Sequence, residues 1–395
     1  MSSRIGLVVN PVAGLGGRVG LGGTDGPQVL QRARELGAEP LAGVRAALAL
    51  REVRARLAAA APTRHAGTSA PRLLTAAGEM GAEAAASADL DARIVYGAGA
   101  LPAEGGTSAA DTVAAVRAIA AEGVDLLLFA GGDGTARDVL AALEAFGGRP
   151  PCPVLGVPTG VKMHSAVFAV SARAAGEAAA AWLRRDGGVR LRDAEVMDRD
   201  DDGVRDGRVA SRLYGWLPVP DVPVRVQQRK TGSTAPVPEA FGGIAAEVAE
   251  RVGDGLLFLG PGTTTRAVAA ELGAETSLTG VDVLALSPGK PARVLLADAS
   301  EEALLGAGPA WIAVSPIGGQ GFLLGRGNQQ ISPRVLRACG GRERLLVLCT
   351  EAKLAALGGR PLLLDTGDET LDAELAGHVP VVTGRRSTSL YRVTR

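Results

Sequence analysis

Short apolar runs alternate with amphipathic stretches along most of this chain. Residues 5–9, 124–129 (apart from Asp125) and 153–157 are apolar runs of strand length, the pattern of strands buried on both faces of a parallel sheet. Weaker strand patterns lie at 71–76 and 92–96. Between them, helical spacing covers 27–37, 42–61, a segment ending near Ala88, 136–143 and 172–184. Another helix follows Ser108-Ala109-Ala110-Asp111, which fits a capping box, and runs to Ala121. Strand then helix, repeated, predicts an α/β fold with a doubly wound parallel sheet.

The texture changes from residue 191. Asp193, Glu195, Asp198, Asp200, Asp201, Asp202 and Asp206 make an acidic stretch, in which Asp200-Asp201-Asp202-Gly203 reads as a solvated hairpin turn without the spacing of an EF-hand. Strands are expected near 208–216 and 222–228, and a helix at 241–252. Alternation then returns. Strands are expected at 255–259, 281–286, 310–314, 321–324, 345–348, 361–364 and 389–393, with helices at 266–272, 301–305, 332–338 and 368–375. A length of 395 residues and this shift of texture predict two domains, 1–188 and 189–395. The second is mixed α/β or β-rich, with the final segment returning to the first domain as one option.

Composition narrows the classes of function. The chain is 47% hydrophobic and 21% charged with a formal net charge of zero, which argues against nucleic acid or a membrane surface as partner. Cys152, Cys339 and Cys349 have neither disulfide nor zinc spacing, which suits a reducing cytoplasm. The N-terminus runs straight into a strand without a signal-peptide core, and no apolar run reaches transmembrane length.

Candidate chemistry gathers on turns that follow strands. Gly131-Gly132-Asp133-Gly134-Thr135 lies between an apolar strand and a helix that carries Asp138. Open backbone N–H groups at such a helix start favour an anion, and glycines let a phosphate approach. Asp133 is out of place beside a phosphate unless a metal or a proton transfer involves it, which points to phosphoryl transfer. The first strand runs into Asn10-Pro11-Val12-Ala13-Gly14 and then Gly16-Gly17-Arg18; by itself this is a nucleotide-binding turn or an ordinary glycine-rich connection. The strand at 153–157 ends in Pro158-Thr159-Gly160-Val161-Lys162-Met163-His164-Ser165, where Lys162 suits a phosphate and His164 is a ligand donor or a structural histidine. In the second half, Gly260-Pro261-Gly262-Thr263-Thr264-Thr265 opens another helix. Its hydroxyls suit a phosphate, and capping by a threonine is the competing reading. The amide-rich run Gly325-Arg326-Gly327-Asn328-Gln329-Gln330 lines a site or forms a connection.

The Gly131–Thr135 motif resembles one shared by NAD kinases, diacylglycerol-type lipid kinases and phosphofructokinases. Together with Asn10 to Gly20, Gly23-Thr24-Asp25-Gly26, Gly156 to Ser165, Gly260 to Thr265 and Gly325 to Pro333, it resembles the ATP-NAD kinase-like family, in the branch that includes the acetoin-operon X proteins. The resemblance implies a Rossmann-like N-terminal domain, a second domain contributing the acceptor site, and an active site in the cleft between them. It implies transfer of a phosphoryl group from ATP or polyphosphate to the 2′-hydroxyl of NAD, with Mg²⁺ or another divalent cation, by a cytoplasmic homo-oligomer. Asp133 would be the general base or metal-linked carboxylate. Asn10, Gly14, Gly16, Gly17, Gly131, Gly132, Gly134, Thr135, Asp138, Thr159, Gly160, Lys162, His164, Gly262, Thr263 and Thr264 would bind nucleotide and phosphate.

Three departures bear on the acceptor. Well-studied NAD kinases grip the ribose with an Asn-Glu pair, and no Asn-Glu dipeptide occurs in this chain. Their second domain is mostly β, whereas residues 240–375 here alternate β and α, and the turn at 260–265 looks like the phosphate loop of ribose-5-phosphate isomerase-like proteins. Gly22 stands where the branch is expected to carry a lysine. A kinase of another hydroxyl compound and a non-catalytic nucleotide-binding protein are therefore the competing expectations.

Overall fold

A computed structural model describes residues 3–21, 27–59, 71–97, 107–160, 163–185, 189–199, 211–222, 239–317 and 321–395. The chain divides into two compact units. One comprises Met1–Gly14 and Glu39–Arg229, the other Leu15–Ala38 and Lys230–Arg395.

In the first unit the apolar runs form a five-stranded parallel sheet. Its strands are β1 (Arg4–Val9), β2 (Arg72–Ala76), β3 (Ala92–Tyr96), β4 (Leu126–Gly131) and β5 (Val154–Pro158), in the spatial order β3-β2-β1-β4-β5. Every residue of β4 is buried. That is why its sequence reads as an unbroken apolar run rather than an alternation. The helices of the chain's first half are α1 (Pro27–Glu35, within the second unit's share of the chain), α2 (Ala42–Ala59), α3 (Ala82–Ser87), α4 (Ala109–Ala121), α5 (Asp133–Glu144) and α6 (Ala172–Leu183). Small residues let α2 and α6 approach closely: a Cβ on Gly176 would lie 2.4 Å from the Ala49 carbonyl oxygen. The strand order reverses beside β1, since β2 and β3 lie on one side of it and β4 and β5 on the other. Ligands bind such sheets at the carboxyl ends of the strands flanking a reversal, and the turns after β1 and β4 are there.

A long hairpin, β6 (Arg190–Arg199) with β7 (Ser211–Asp221), completes the described part of this unit. The acidic stretch is thus largely strand. Ala194 and Val196 are buried while charged residues take the intervening positions. The expected strand at 208–216 is the longer β7. The Asp200–Gly203 turn, and the expected strand at 222–228 apart from Val222, lie outside the described residues.

The second unit holds α7 (Glu239–Val252), β8 (Gly255–Leu259), α8 (Thr263–Glu271), β9 (Asp282–Leu286), β10 (Arg293–Leu296), α9 (Glu301–Ala307), β11 (Trp311–Val314), β12 (Phe322–Leu324), α10 (Pro333–Ala338), β13 (Leu345–Leu348), α11 (Glu351–Ala356), β14 (Leu362–Leu364), α12 (Glu369–Leu375), β15 (Gly377–Gly384) and β16 (Ser387–Thr394). They build a nine-stranded mixed sheet, β10-β9-β8-β11-β13-β15-β16-β14-β12, with β8, β11, β13 and β15 successively parallel. The period of two along each strand splits the core between the faces. Phe258, Ile312, Val314 and Val347 pack on one side, and Leu257, Leu259, Ala313, Leu346 and Leu348 on the other. Burying each large side chain stabilises the fold by about 1.5–3 kcal/mol. The sequence reading missed β10, α11 and β15. β10 is short and mostly exposed, and β15 contains Pro380, which argued against a strand.

The fold is the expected α/β one, with a parallel sheet in the N-terminal part and a mixed sheet in the C-terminal part. Among the described residues no helix is long and apolar enough to cross a membrane.

The capping box at the start of α4 is formed: the Ser108 hydroxyl accepts from Asp111 N, and Ser108 N donates to the Asp111 carboxylate at 2.8 Å. Ser108→Ala is expected to cost about 0.5–2 kcal/mol, read as a lower urea midpoint at unchanged slope; an unchanged midpoint would leave the cap without energetic weight.

Candidate functional site

The loop after β1 is tied to the ends of β4 and β5. Asn10 N donates to the Ala130 carbonyl at 2.9 Å, which extends the ladder one residue past β1. The Asn10 side chain donates from Nδ2 to Thr135 Oγ1 at 2.9 Å and accepts from Val12 N at 3.3 Å. Gly14 has φ +79°, and a Cβ there would lie 1.9 Å from the Thr159 carbonyl oxygen. Only glycine combines that backbone conformation with that approach. The turns after β4 and β5 also touch. Thr159 N donates to the Gly131 carbonyl at 3.0 Å, and a Cβ on Gly160 would lie 3.2 Å from Gly132 Cα. Asn10, Gly14, Gly131, Gly132, Thr135, Thr159 and Gly160 are therefore brought together at one edge of the sheet. Gly134 is exposed, and a Cβ on it would meet nothing within 4 Å, so no packing demands glycine there.

Asp133 is the first residue of α5, after the N-cap Gly132, and is 6% exposed. Its carboxylate accepts from His164 N at 2.6 Å (Oδ2) and from Ser165 N at 3.0 Å (Oδ1). Two effects oppose each other here. Burial disfavours the charge, while the N–H groups favour it. Burial wins and pushes the Asp133 pKa up to about 6, the bonds from Ser165 and His164 pulling it down and the charge of Asp198 adding to the rise. Asp133 is thus an ionised carboxylate at neutral pH that takes a proton far more readily than an ordinary aspartate. Asp138 is half-buried and likewise raised to about 6, by burial first, with Arg137 opposing and Asp198 assisting.

Ser165 is fully buried, and its hydroxyl donates to the Met197 carbonyl at 2.7 Å and accepts from Met197 N at 2.9 Å. So the loop that holds Asp133 is itself pinned to β6. Beyond it, Arg137 pairs with Asp198 at 2.9 Å and lies 4.4 Å from the Tyr214 ring centroid. Sequence reasoning did not single out Ser165 or Asp198 as site residues. The weak alternation of Ala194 and Val196 was the available signal for the strand that brings Asp198 in. At this edge Thr159 Oγ1, on a residue 5% exposed, has no hydrogen-bond partner among the described residues. Such an orphan hydroxyl at a strand end suits a polar ligand.

Other expected site residues lie elsewhere. His164 is half-buried and meets Asp133 through its backbone. Lys162 lies outside the described residues. Gly16 and Gly17 are buried and belong, like Gly262, Thr263 and Thr264, to the second unit. The helix α8 is capped by Gly262 with φ +133° and no side-chain cap, which corrects the threonine-capping reading; Thr265 Oγ1 instead donates back to the Gly262 carbonyl at 3.0 Å.

Gly14→Ala is expected to destabilise the chain by more than about 1 kcal/mol, because the methyl meets backbone at a positive φ. Urea unfolding measures it, and a variant as stable as the wild type would contradict the close approach of the Gly14 and Thr159 loops.

Comparison with known families gives two matches. The ATP-NAD kinase N-terminal domain matches residues 5–187, and the ATP-NAD kinase C-terminal domain matches residues 254–393. Comparisons with curated proteins and with solved structures give no match. The buried Asp133 carboxylate falls within the first matched domain and the Gly262 turn within the second. With both domains matched in order along most of its length, the chain belongs to the ATP-NAD kinase-like family, whose members are phosphotransferases.

Proposed function

We propose that the protein is an NAD kinase that transfers a phosphoryl group from ATP or polyphosphate to the 2′-hydroxyl of NAD, producing NADP. The observation that carries this reading is Asp133: a carboxylate with its pKa pushed up to about 6, on a glycine turn at the reversal of a parallel sheet. Phosphoryl transfer to a hydroxyl needs a proton acceptor for the attacking oxygen and donors for the phosphate charge. Asp133 takes the hydroxyl proton. The acceptor oxygen forms the new P–O bond as the bond to the leaving phosphate breaks. Asn10, Thr135, Thr159 and the backbone of Gly131, Gly132 and Gly160 orient the phosphates. Lys162 belongs to the same reading as a neutralising charge, and Gly14, Gly134 and Asp138 as surroundings of Asp133. Gly262, Thr263 and Thr264 bind phosphate on the second unit, which supplies the acceptor site.

Among the described residues no cluster of three or more His, Cys, Asp or Glu forms a cage for a metal. Mg²⁺ carried by substrate phosphates needs only one or two carboxylates, and Asp133 would supply one where it acts as the metal-linked carboxylate in place of the base. When bound, the ion neutralises charge on the phosphates. Assembly as a homo-oligomer and residence in the cytoplasm belong to the same reading.

A second reading is favoured by one observation, the lack of an Asn-Glu dipeptide. It keeps the chemistry at Asp133 and exchanges NAD for another hydroxyl acceptor.

Incubation with NAD, Mg²⁺ and either ATP or polyphosphate is expected to yield NADP, and Asp133→Asn to lower kcat by about 10²–10⁴-fold. ATP consumption that requires a different acceptor selects the second reading, and no turnover with any acceptor ends both. Because the base must be ionised, kcat is expected to rise with pH through about 6 and then level. A profile flat from about pH 5 to pH 8 would remove Asp133 from that role.

A further inference from the structure

The second unit has its own strand-end constellation. β8, β11 and β13 are adjacent and parallel, so their carboxyl ends share one edge. After β8 comes the turn to α8, with Thr264 in its first helical turn. After β11 comes Ser315, and after β13 the short helix that carries Lys353. Three segments far apart in sequence thus meet at one point. Lys353 Nζ donates to Thr264 Oγ1 at 3.2 Å and to Ser315 Oγ at 3.0 Å.

A count of donors shows what this cluster lacks. Thr264 and Ser315 are each 3% exposed, and each accepts one bond from the ammonium. Neither hydroxyl proton has an acceptor among the described residues, and the third ammonium proton has none either. The N–H groups of the first turn of α8 have no partner within their helix and add further donors. No carboxylate pairs with Lys353 among the described residues. The neighbouring Cys349 thiol is pushed up to about 11 by burial and is neutral at physiological pH. Burial lowers the Lys353 pKa, so its charge is held at a cost that the two hydroxyls offset only in part. Several convergent donors, one of them cationic, with no carboxylate among them in the described residues, are complementary to an oxyanion.

We propose that Lys353, Thr264 and Ser315 form a binding site for the phosphate group of a phosphate-bearing substrate. This deepens the phosphotransfer reading, on which it rests for the substrate's identity, by adding a cation and a second hydroxyl to the Gly262–Thr264 turn. The geometry suits a tetrahedral group: Lys353 supplies charge, the two hydroxyls supply direction, and the start of α8 supplies open N–H groups. Free, the site holds a desolvated charge; filled, every donor has an acceptor.

The chain has four lysines, Lys162, Lys230, Lys290 and Lys353, so ¹³Cε-lysine labelling gives a spectrum simple enough to read one site. The Lys353 signal is identified by its loss in Lys353→Met, a substitution that keeps length and removes charge. Titration of the full-length protein with inorganic pyrophosphate is expected to move the Lys353 signal and leave exposed Lys290 still. In Thr264→Val the affinity read from that signal falls about threefold to tenfold. Pyrophosphate is also expected to protect the wild type against thermal unfolding more than it protects Lys353→Met. A Lys353 signal that stays still at saturating pyrophosphate overturns the site. If Lys353→Met does not fold, Lys353→Arg identifies the signal by its loss, and the wild-type and Thr264→Val titrations decide. The same titration with NAD and with tripolyphosphate tells whether the phosphate of the acceptor or of the donor occupies the site. A Lys353 signal that responds in a protein making no NADP removes the NAD kinase reading and keeps the site, whereas a still signal in an active kinase does the reverse.

Discussion

The charge of one buried carboxylate in the first unit, Asp133, depends on the backbone N–H groups of His164 and Ser165. Had Asp133 been buried without them, it would be neutral; had it been exposed, it would be an ordinary weak base. Partial compensation sets it near the middle of the useful range. Much of the surrounding architecture serves this compromise. The reversal of the sheet places the turn after β4 beside that of β1, contact between Gly132 and Gly160 brings in the segment after β5, and the Ser165 hydroxyl anchors that segment to β6. Asp198 feeds charge back from the end of the hairpin. The proton affinity of Asp133 is thus set by four separate pieces of chain.

The two units solve a similar problem with opposite charge. One buries a carboxylate among backbone donors at strand ends, and the other buries an ammonium among hydroxyls at strand ends. In both, parallel strands deliver residues distant in sequence to one edge, where the first turn of a helix leaves N–H groups unpaired. A parallel sheet obliges successive turns to share that edge, and this makes a cluster from segments with no local relation.

The elements most legible in the sequence were those where a single physical demand dominates. β4 had to be apolar throughout because both its faces are covered, and the Ser108–Asp111 box announced the start of α4 by local hydrogen bonding alone. The glycine turns were legible for the same reason, since Gly14 tolerates no Cβ. Elements shaped by several demands were not. β6 carries acidic residues because only one of its faces is covered, and its charge hid its alternation. β15 includes a proline on its exposed side, a residue uncommon within strands, and no strand was expected there. Ser165 and Lys353 are defined by partners 32 and 89 positions away, Met197 and Thr264, and no local pattern marks such pairs.

The division of the chain has one further consequence. Residues 15–38 belong with the second unit although they interrupt the first, so the polypeptide passes between units after Gly14, Ala38 and Arg229. A protein cut once at any point yields no fragment containing all of either unit and nothing else. The C-terminal piece from Lys230 would lack α1 and the Arg18 carbonyl that accepts from Glu301 N. To make the units separately, the second would have to be permuted, with 15–38 spliced onto 230–395 by a new linker. On the ribosome, the loop carrying Gly16 and Gly17 emerges more than two hundred residues before β8 and α9, the elements of its own unit. Completion of the second unit therefore waits until the chain is nearly finished, whatever the first has already done.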